Sequence, residues 1–484
     1  MVEPSANLLY YGDNLDVLRR HLRDESVDLV YLDPPFNSNA TYNVLFSEHG
    51  VRAAAQIQAF GDTWEWNTDS ASAYEEVVER GGAVANAMLA FRTLLGGSDM
   101  LAYLSMMAPR LVELHRVLKP TGTIYLHCDP TASHYLKLLL DRVFGARNFR
   151  NEIIWCYAGG GIPRKDFPRK HDVILRYTKS DDYFYQPIFR PYSPGTVQRG
   201  RTQVKGVYFD AGLRPEGTPV NDWWPDVSKI TSPTDPEKLG YPTQKSRALL
   251  ERILVASSEP GGLVLDPFCG CGTTIDAAQE LGRRWIGIDI THLAIGLIKH
   301  RLADRYGPEI AATYRVVGEP TTVEDAAVLA REDPFQFQAW ALGLVGARVA
   351  GSDRRGADRG IDGRLYFHDS AGGETRQIIF SVKAGEHLSP SFVRDLRGVI
   401  EKEHAHIGVL ITFADPTSGM EAEAASAGFY ASPWGHHPRL QLRTVAQLLD
   451  GRGIDYPHVA GANVTFQRAE RIKKAAEQAE LFGG

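Results

Sequence analysis

The sequence predicts an α/β protein, a doubly wound and largely parallel sheet followed by a second, smaller α/β domain. Three observations carry this: short apolar runs that end in an acid or a turn, helical patterns between them, and a polar stretch dividing two such series. The runs are Val27–Leu32 before Asp33, Gly122–Leu126 before His127, Leu263–Leu265 before Asp266, and Trp285–Ile288 before Asp289. Continuous aliphatic runs bounded in this way read as strands buried on both faces. Helical spacing lies between them, in Met107–Leu118 with apolar residues at 107, 111, 114, 117 and 118, and in Thr273–Leu281. Past residue 333 a helix over Phe335–Val345 precedes strand-like Arg364–Phe367, Ile378–Val382 and Ile407–Ile411.

Length and composition narrow the class. A chain of 484 residues allows two to four domains at about 150 residues each. Apolar residues at 43% and charged ones at 23% exclude a disordered chain. The balance of 53 basic against 59 acidic residues, −6, excludes a uniformly basic nucleic-acid coat. Four cysteines cannot make a disulfide framework in so long a chain. The start, MVEPSANLLYYGDN, lacks the basic-then-apolar pattern of a signal peptide, and no apolar run approaches the length of a membrane span. The expectation is a cytoplasmic protein with no membrane segment, divided at 1–315, a linker at 316–333, a second domain at 334–450 and a tail at 451–484 with a charged helix over 466–481.

Residues 157–240 break the alternation and read as an insertion. Between Gly160 and Arg214, eleven Lys and Arg face five acids, a local balance of +6, with Tyr183, Phe184, Tyr185, Phe189 and Tyr192 interleaved. Such a mixture suits either a solvated surface or a nucleic-acid face that contacts phosphates and stacks on bases.

Two motifs close the predicted strands. Asp33-Pro34-Pro35-Phe36 follows VDLVYL directly. Consecutive prolines have fixed φ and no N–H, so the strand must stop, leaving a rigid hook with a carboxylate, a free Pro34 carbonyl and an aromatic face. Asp266-Pro267-Phe268-Cys269-Gly270-Cys271-Gly272-Thr273-Thr274 is a strand end, a glycine turn and a helix start. Glycines there admit close backbone approach, and the helix start offers unpaired N–H groups. Asp289 ends the next strand, 23 residues on, where an acid accepts hydrogen bonds from ribose hydroxyls.

These motifs and their order resemble the amino-group DNA methyltransferases of the permuted beta arrangement. Tyr11-Gly12-Asp13-Asn14 is similar to the family's segment at the cofactor adenine, and Tyr241-Pro242-Thr243-Gln244-Lys245 to its PTQK segment; Cys271 and Ser246 stand where Ser and Pro are common. The resemblance covers roughly residues 5–305 and implies an S-adenosylmethionine-dependent methyltransferase fold of the Rossmann-like kind. It implies Asp33, Pro34, Pro35 and Phe36 as catalytic residues, with Asp33 and the Pro34 carbonyl accepting from the exocyclic amine and Phe36 stacking on a flipped base of double-stranded DNA. It implies Asp13, Lys245, Asp266, Pro267, Phe268, Gly270, Gly272, Thr273 and Asp289 as the S-adenosylmethionine site. Asp ahead of Pro-Pro leans toward adenine N6 over cytosine N4, on resemblance alone.

In the second domain, Gly356-Ala357-Asp358-Arg359-Gly360-Ile361-Asp362-Gly363 precedes one strand and Ser381-Val382-Lys383 ends the next. An acid on one strand and a lysine closing its neighbour is what a Mg²⁺-dependent phosphodiester nuclease needs. The pattern resembles the Mrr-like branch of PD-(D/E)xK nucleases, which implies Asp362 and Lys383 as the catalytic pair and Asp362 as a Mg²⁺ ligand; Asp358 reads either as a turn acid or as a second ligand. Ser381 occupies the second ligand position, usually Glu, Asp or Gln, and a hydroxyl is a poor Mg²⁺ ligand. Three functions stay open: a methyltransferase fused to an endonuclease in restriction-modification or defence, the same enzyme with a non-catalytic DNA-binding or assembly module, and an RNA or small-amine methyltransferase. The sequence leaves the recognition site and a homodimeric state undecided.

Overall fold

The computed structural model describes residues 6–35, 41–48, 51–61, 66–158, 164–200, 203–204, 207–208, 213–230, 232, 235–239, 241, 243–350, 360–369, 374–385, 387–457, 463, 465–466 and 469, with backbone alone in 41–48, 51–61, 203–204, 207–208 and at 69. Phe36, Pro242 and Asp358 lie outside the described residues, as does the tail helix expected over 466–481 apart from Phe466 and Ala469.

The larger sheet has nine strands: β1 (Asn7–Tyr11), β2 (Val27–Leu32), β3 (Leu118–Cys128), β4 (Phe149–Cys156), β5 (His171–Thr178), β6 (Trp223–Trp224), β7 (Leu263–Asp266), β8 (Arg284–Asp289) and β9 (Tyr314–Val317). Their spatial order is β6-β4-β5-β3-β2-β7-β8-β1-β9. All neighbours are parallel except β5, which runs antiparallel to both β3 and β4. Side chains alternate between two cores, as a sheet covered on both faces requires. Leu8, Tyr10, Val30 and Leu32 pack with helices Asn14–His21, Asp99–Val117 and Pro130–Leu140; Leu9, Leu29 and Tyr31 pack with Arg247–Ser257, Thr273–Glu280 and His292–Tyr306.

Three expectations change. The helix predicted from Met107 starts at Asp99, capped by Ser98, because Leu101–Ala108 is buried all round and shows no amphipathic period. The strand-like piece Asp172–Tyr177 inside the predicted insertion is a strand, His171–Thr178, but it belongs to the large sheet, so its Arg176 and Asp172 are buried rather than solvent-facing. Setting both aside leaves ten basic residues against four acids, so the balance stays at +6. The predicted linker 316–333 is ordered: Val316 and Val317 pair with β1, and Val323–Glu332 is a helix capped by Thr322. Its polar composition hid a short apolar stripe, Ala326, Leu329 and Ala330, which joins the second core.

The second sheet comprises β10 (Arg348–Val349), β11 (Gly363–His368), β12 (Thr375–Lys383), β13 (Ile407–Thr412) and β14 (Leu440–Thr444) in that order, antiparallel up to β12 and parallel beyond. Helices Val323–Glu332, Pro334–Leu344 and Val445–Leu449 cover one face, and Pro390–Lys402 with Ser418–Ser426 the other. No helix among the described residues is long and apolar enough to cross a membrane.

Candidate functional site

Four parallel strands end on one edge of the large sheet: β2 just before Asp33, β7 at Asp266, β8 at Asp289 and β1 at Tyr11. Carboxyl ends of parallel strands leave a crevice for ligands. A cavity of about 250 Å³ opens there, lined by Asp33, Pro34 and Pro35 and by Asp266–Cys271 with Asp289–Thr291.

The glycine turn is left-handed at Gly270 (φ +48°) and Gly272 (φ +76°), conformations that favour glycine. Space demands it too: a Cβ on Gly272 would sit 2.7 Å from Ile298 Cγ1, and one on Gly270 3.2 Å from the Tyr241 ring. Behind the turn, buried Arg301 donates to the Cys271 carbonyl and to Thr273 Oγ1, each at 3.0 Å, and to Asp276 Oδ2 at 3.1 Å. The turn is thereby held with its helix start, Thr273–Glu280, at the cavity. Asn14 Nδ2 ties the turn to the first strand by donating to the Pro267 carbonyl at 2.8 Å, while Arg110 holds Asn14 (2.6 Å) and Asp13 (2.7 Å).

Two carboxylates face this half. Asp289 accepts from Gly270 N (3.0 Å) and from Thr291 N and Oγ1 (both 2.9 Å); burial pushes its pKa up to about 6. Asp266 is 3% exposed and accepts from Phe268 N at 3.1 Å; burial raises its pKa to about 7 against the bonds that hold it down. A carboxyl whose pKa is raised by folding stabilises below its unfolded value and loses that contribution as pH climbs through the folded one. The free protein is therefore expected to lose stability relative to Asp266→Asn between about pH 4 and 7, read as a difference in Tm that grows across that window. A constant difference would place the proton elsewhere.

At the same cavity Asp33 Oδ2 pairs with Lys245 Nζ at 2.5 Å, both side chains nearly buried. Asp33 Oδ1 is buried with no hydrogen-bond partner among the described residues. Lys245, expected at the cofactor, thus contacts the catalytic-motif acid while still lining the cavity. The structure gathers Asp13, Asp33, Pro34, Pro35, Lys245, Asp266, Pro267, Phe268, Gly270, Thr273 and Asp289 at one cavity, with Gly272 in its turn. Arg110 and Tyr31 also line it and were not anticipated; a lone arginine within the apolar run Leu101–Leu111 is the signal that pointed to the first.

In the second sheet Asp362 Oδ2 accepts from Val382 N (2.6 Å) and from Ser381 Oγ (3.2 Å). Lys383 stands two residues beyond Ser381 on the same face of β12, its Nζ 5.7 Å from the Phe392 ring centre. Among the described residues no group of three or more His, Cys, Asp or Glu converges as a metal site.

Comparison with known proteins matches this geometry to a family. Residues 27–300 match the DNA methylase family of the N6/N4 type, and residues 329–430 the Mrr-type restriction endonuclease family. The type II methyltransferase M.HpaI of Haemophilus parainfluenzae is 31% identical over 47% of this chain and 68% of its own length. The DNA adenine methyltransferase YhdJ of Escherichia coli K12 is 26% identical over 63% of this chain and 86% of its own. Among solved structures, the DNA modification methylase TTHA0409 of Thermus thermophilus, complexed with S-adenosyl-L-methionine, aligns with 64% of this chain and 99% of its own at 20% identity and a TM-score of 0.35. The chain belongs to the N6/N4 DNA methylase family of restriction-modification enzymes, and its C-terminal part carries an Mrr-type restriction endonuclease domain.

Proposed function

We propose that this chain moves a methyl group from S-adenosylmethionine to the exocyclic amine of a base flipped out of double-stranded DNA, adenine N6 being the target. The observation that carries this is Asp33 Oδ1, a buried acceptor left without a partner among the described residues at the cavity wall. Such an atom costs about 1–3 kcal/mol unless a ligand donor satisfies it, and an amine N–H is that donor. The cofactor half fits its ligand: Asp289 accepts ribose hydroxyls, Gly270 and Gly272 admit close approach, and Asp13, Asp266, Pro267, Phe268 and Thr273 complete the wall. S-adenosylmethionine supplies the electrophilic methyl group. Asp33 and the Pro34 carbonyl hold the amine in line and draw on its N–H bonds, so positioning and electrostatics do the work. The likeness to the DNA adenine methyltransferase YhdJ supports the choice of base.

Residues 1–315 form the methyltransferase unit in this reading, with 179–240 as the part of the predicted insertion that reads DNA. Exposed Tyr185 and Trp223 offer aromatic faces there, and the Arg190 guanidinium lies 5.8 Å from the Trp223 ring centre. Plasmid incubated with methyl-labelled S-adenosylmethionine should yield labelled N6-methyladenine after digestion. N4-methylcytosine would shift the target base, and label confined to RNA would overturn the reading.

For the second domain, Asp362 and Lys383 make the candidate phosphodiester site. The described residues do not by themselves fit Mg²⁺: one Asp362 oxygen is taken by two protein donors, and Ser381 spends its hydroxyl on that carboxylate. That bond favours a second reading, a DNA-docking module. Cleavage of unmethylated plasmid with Mg²⁺, lost in Asp362→Ala, supports the nuclease. Equal absence of cutting by both proteins, with Lys383→Ala weakening DNA binding, supports docking.

A further inference from the structure

Methylating an amine leaves its nitrogen with one proton too many, and that proton needs a way out of the buried site at Asp33. Asp33 Oδ2 is already taken by the Lys245 ammonium. Asp266 and Asp289 are held by N–H donors of the glycine turn and its neighbours.

One buried chain of polar groups begins at the Asp33 wall and leads away from it. Tyr31 lines the cavity two residues before Asp33 on β2. Its hydroxyl lies 2.9 Å from His127 Nδ1 on β3, and His127 Nε2 lies 3.2 Å from Asp172 Oδ2 on β5. Asp172 Oδ1 accepts from Tyr157 OH at 3.0 Å, and the Lys229 ammonium sits 4.4 Å from the Tyr157 ring centre. Tyr31 is 2% exposed, His127 0% and Asp172 7%, so these bonds are made in a dry interior. Trp155 packs edge-on against the imidazole and fixes its plane.

The order of donors follows from Asp172. Burial pushes the Asp172 carboxyl up, but the hydrogen bond with His127 and the Lys245 and Lys229 ammoniums hold its pKa down to about 2, so it is a carboxylate and accepts only. Nε2 must then donate to it. A neutral His127 presents a bare Nδ1 to the Tyr31 hydroxyl, the arrangement of a base backed by an acid.

We propose that Tyr31, His127 and Asp172 form the proton relay of methyl transfer, a role that rests on the methyltransferase reading above. As the N–C bond forms and the donor's S–C bond breaks, the amine proton passes to the Tyr31 oxygen and the nitrogen keeps the electron pair of that N–H bond. The Tyr31 hydroxyl proton passes in the same movement to His127 Nδ1, and the imidazolium is stabilised by Asp172. Tyr157 and Lys229 mark the side on which the proton returns to solvent. Tyr31 is the group that meets the amine; His127 and Asp172 act through it.

The charged and titratable groups around His127 are Tyr31 and Asp33 from β2 and its hook, Asp172 from β5, and Tyr157, Lys229 and Lys245 beyond. Tyr31→Phe should slow single-turnover methyl transfer at saturating DNA and cofactor by about tenfold or more. Dissociation constants for both ligands should stay within about twofold, and the pH–rate profile should differ from that of the wild type. In the unaltered, unliganded protein, ¹⁵N-histidine NMR at pH 7.5 should show His127 neutral with its proton on Nε2. A Tyr31→Phe variant with wild-type rate and pH profile would overturn the relay and leave the methyltransferase reading standing. So would an imidazolium, or a proton on Nδ1, in the NMR spectrum. Absence of any transfer to DNA by the unaltered protein would overturn both.

Discussion

Asp33→Ala should lower single-turnover methyl transfer by about 10²- to 10³-fold while leaving cofactor affinity within about twofold. In the proposed reading the glycine turn and Asp289 hold the cofactor, so the loss is expected on the chemical step rather than on loading. Stability moves separately. Removing Asp33 strands the Lys245 ammonium, whose side chain is 9% exposed, and breaking a buried pair by deleting one partner costs about 3–5 kcal/mol. The double variant Asp33→Ala, Lys245→Met should regain most of that stability and none of the activity. Recovery of activity along with stability would mean that Asp33 only holds Lys245 in place. Asp33→Asn tests the charge: it keeps an acceptor for the amine but pairs poorly with the ammonium, and its rate should fall between the wild type and Asp33→Ala.

The sequence revealed the strand ends best, because Asp33, Asp266 and Asp289 each stop an apolar run and parallel strands must present such ends together. It revealed much less of what holds them. Lys245 and Asp33 are 212 residues apart and meet only because the helix start at Ser246 follows Lys245 directly and lies over the strand end. Tyr31, His127 and Asp172 each look like an unremarkable strand residue, and only the neighbouring places of β2, β3 and β5 in the sheet bring them into line. The helix Val323–Glu332 was masked by its polar face, since four of its ten residues are acidic or basic at 324, 325, 331 and 332 and its apolar stripe is only one turn wide. In the second domain Asp362 and Lys383 were found from their spacing, whereas the bond between Ser381 and Asp362 depends on the pairing of β11 with β12, which spacing does not encode.

Arg301→Met should carry the largest combined penalty on stability and cofactor binding. Arg301 is 2% exposed and its guanidinium holds two things at once, the Asp276 carboxylate and the glycine turn at the Cys271 carbonyl and Thr273 Oγ1. Asp276 keeps Arg305 and the Tyr306 hydroxyl, so it is not left bare, and the expected loss is about 3 kcal/mol, at the lower end for a broken buried pair. In a domain of this size that lowers Tm by roughly 5–10 °C. Affinity for S-adenosylmethionine should fall about tenfold as the turn loses both anchors, since a loosened turn must be ordered again on binding. The two effects separate in Arg301→Met, Asp276→Leu, where apolar side chains replace the pair and Arg305 retains Glu280 at 2.7 Å. Stability should recover because well-packed apolar groups can replace a buried ion pair at little cost. Affinity should stay low, because neither substitution restores a donor to Cys271 or Thr273. If the double variant binds the cofactor as the wild type does, the turn keeps its shape from Gly270 and Gly272 alone and Arg301 serves the fold only.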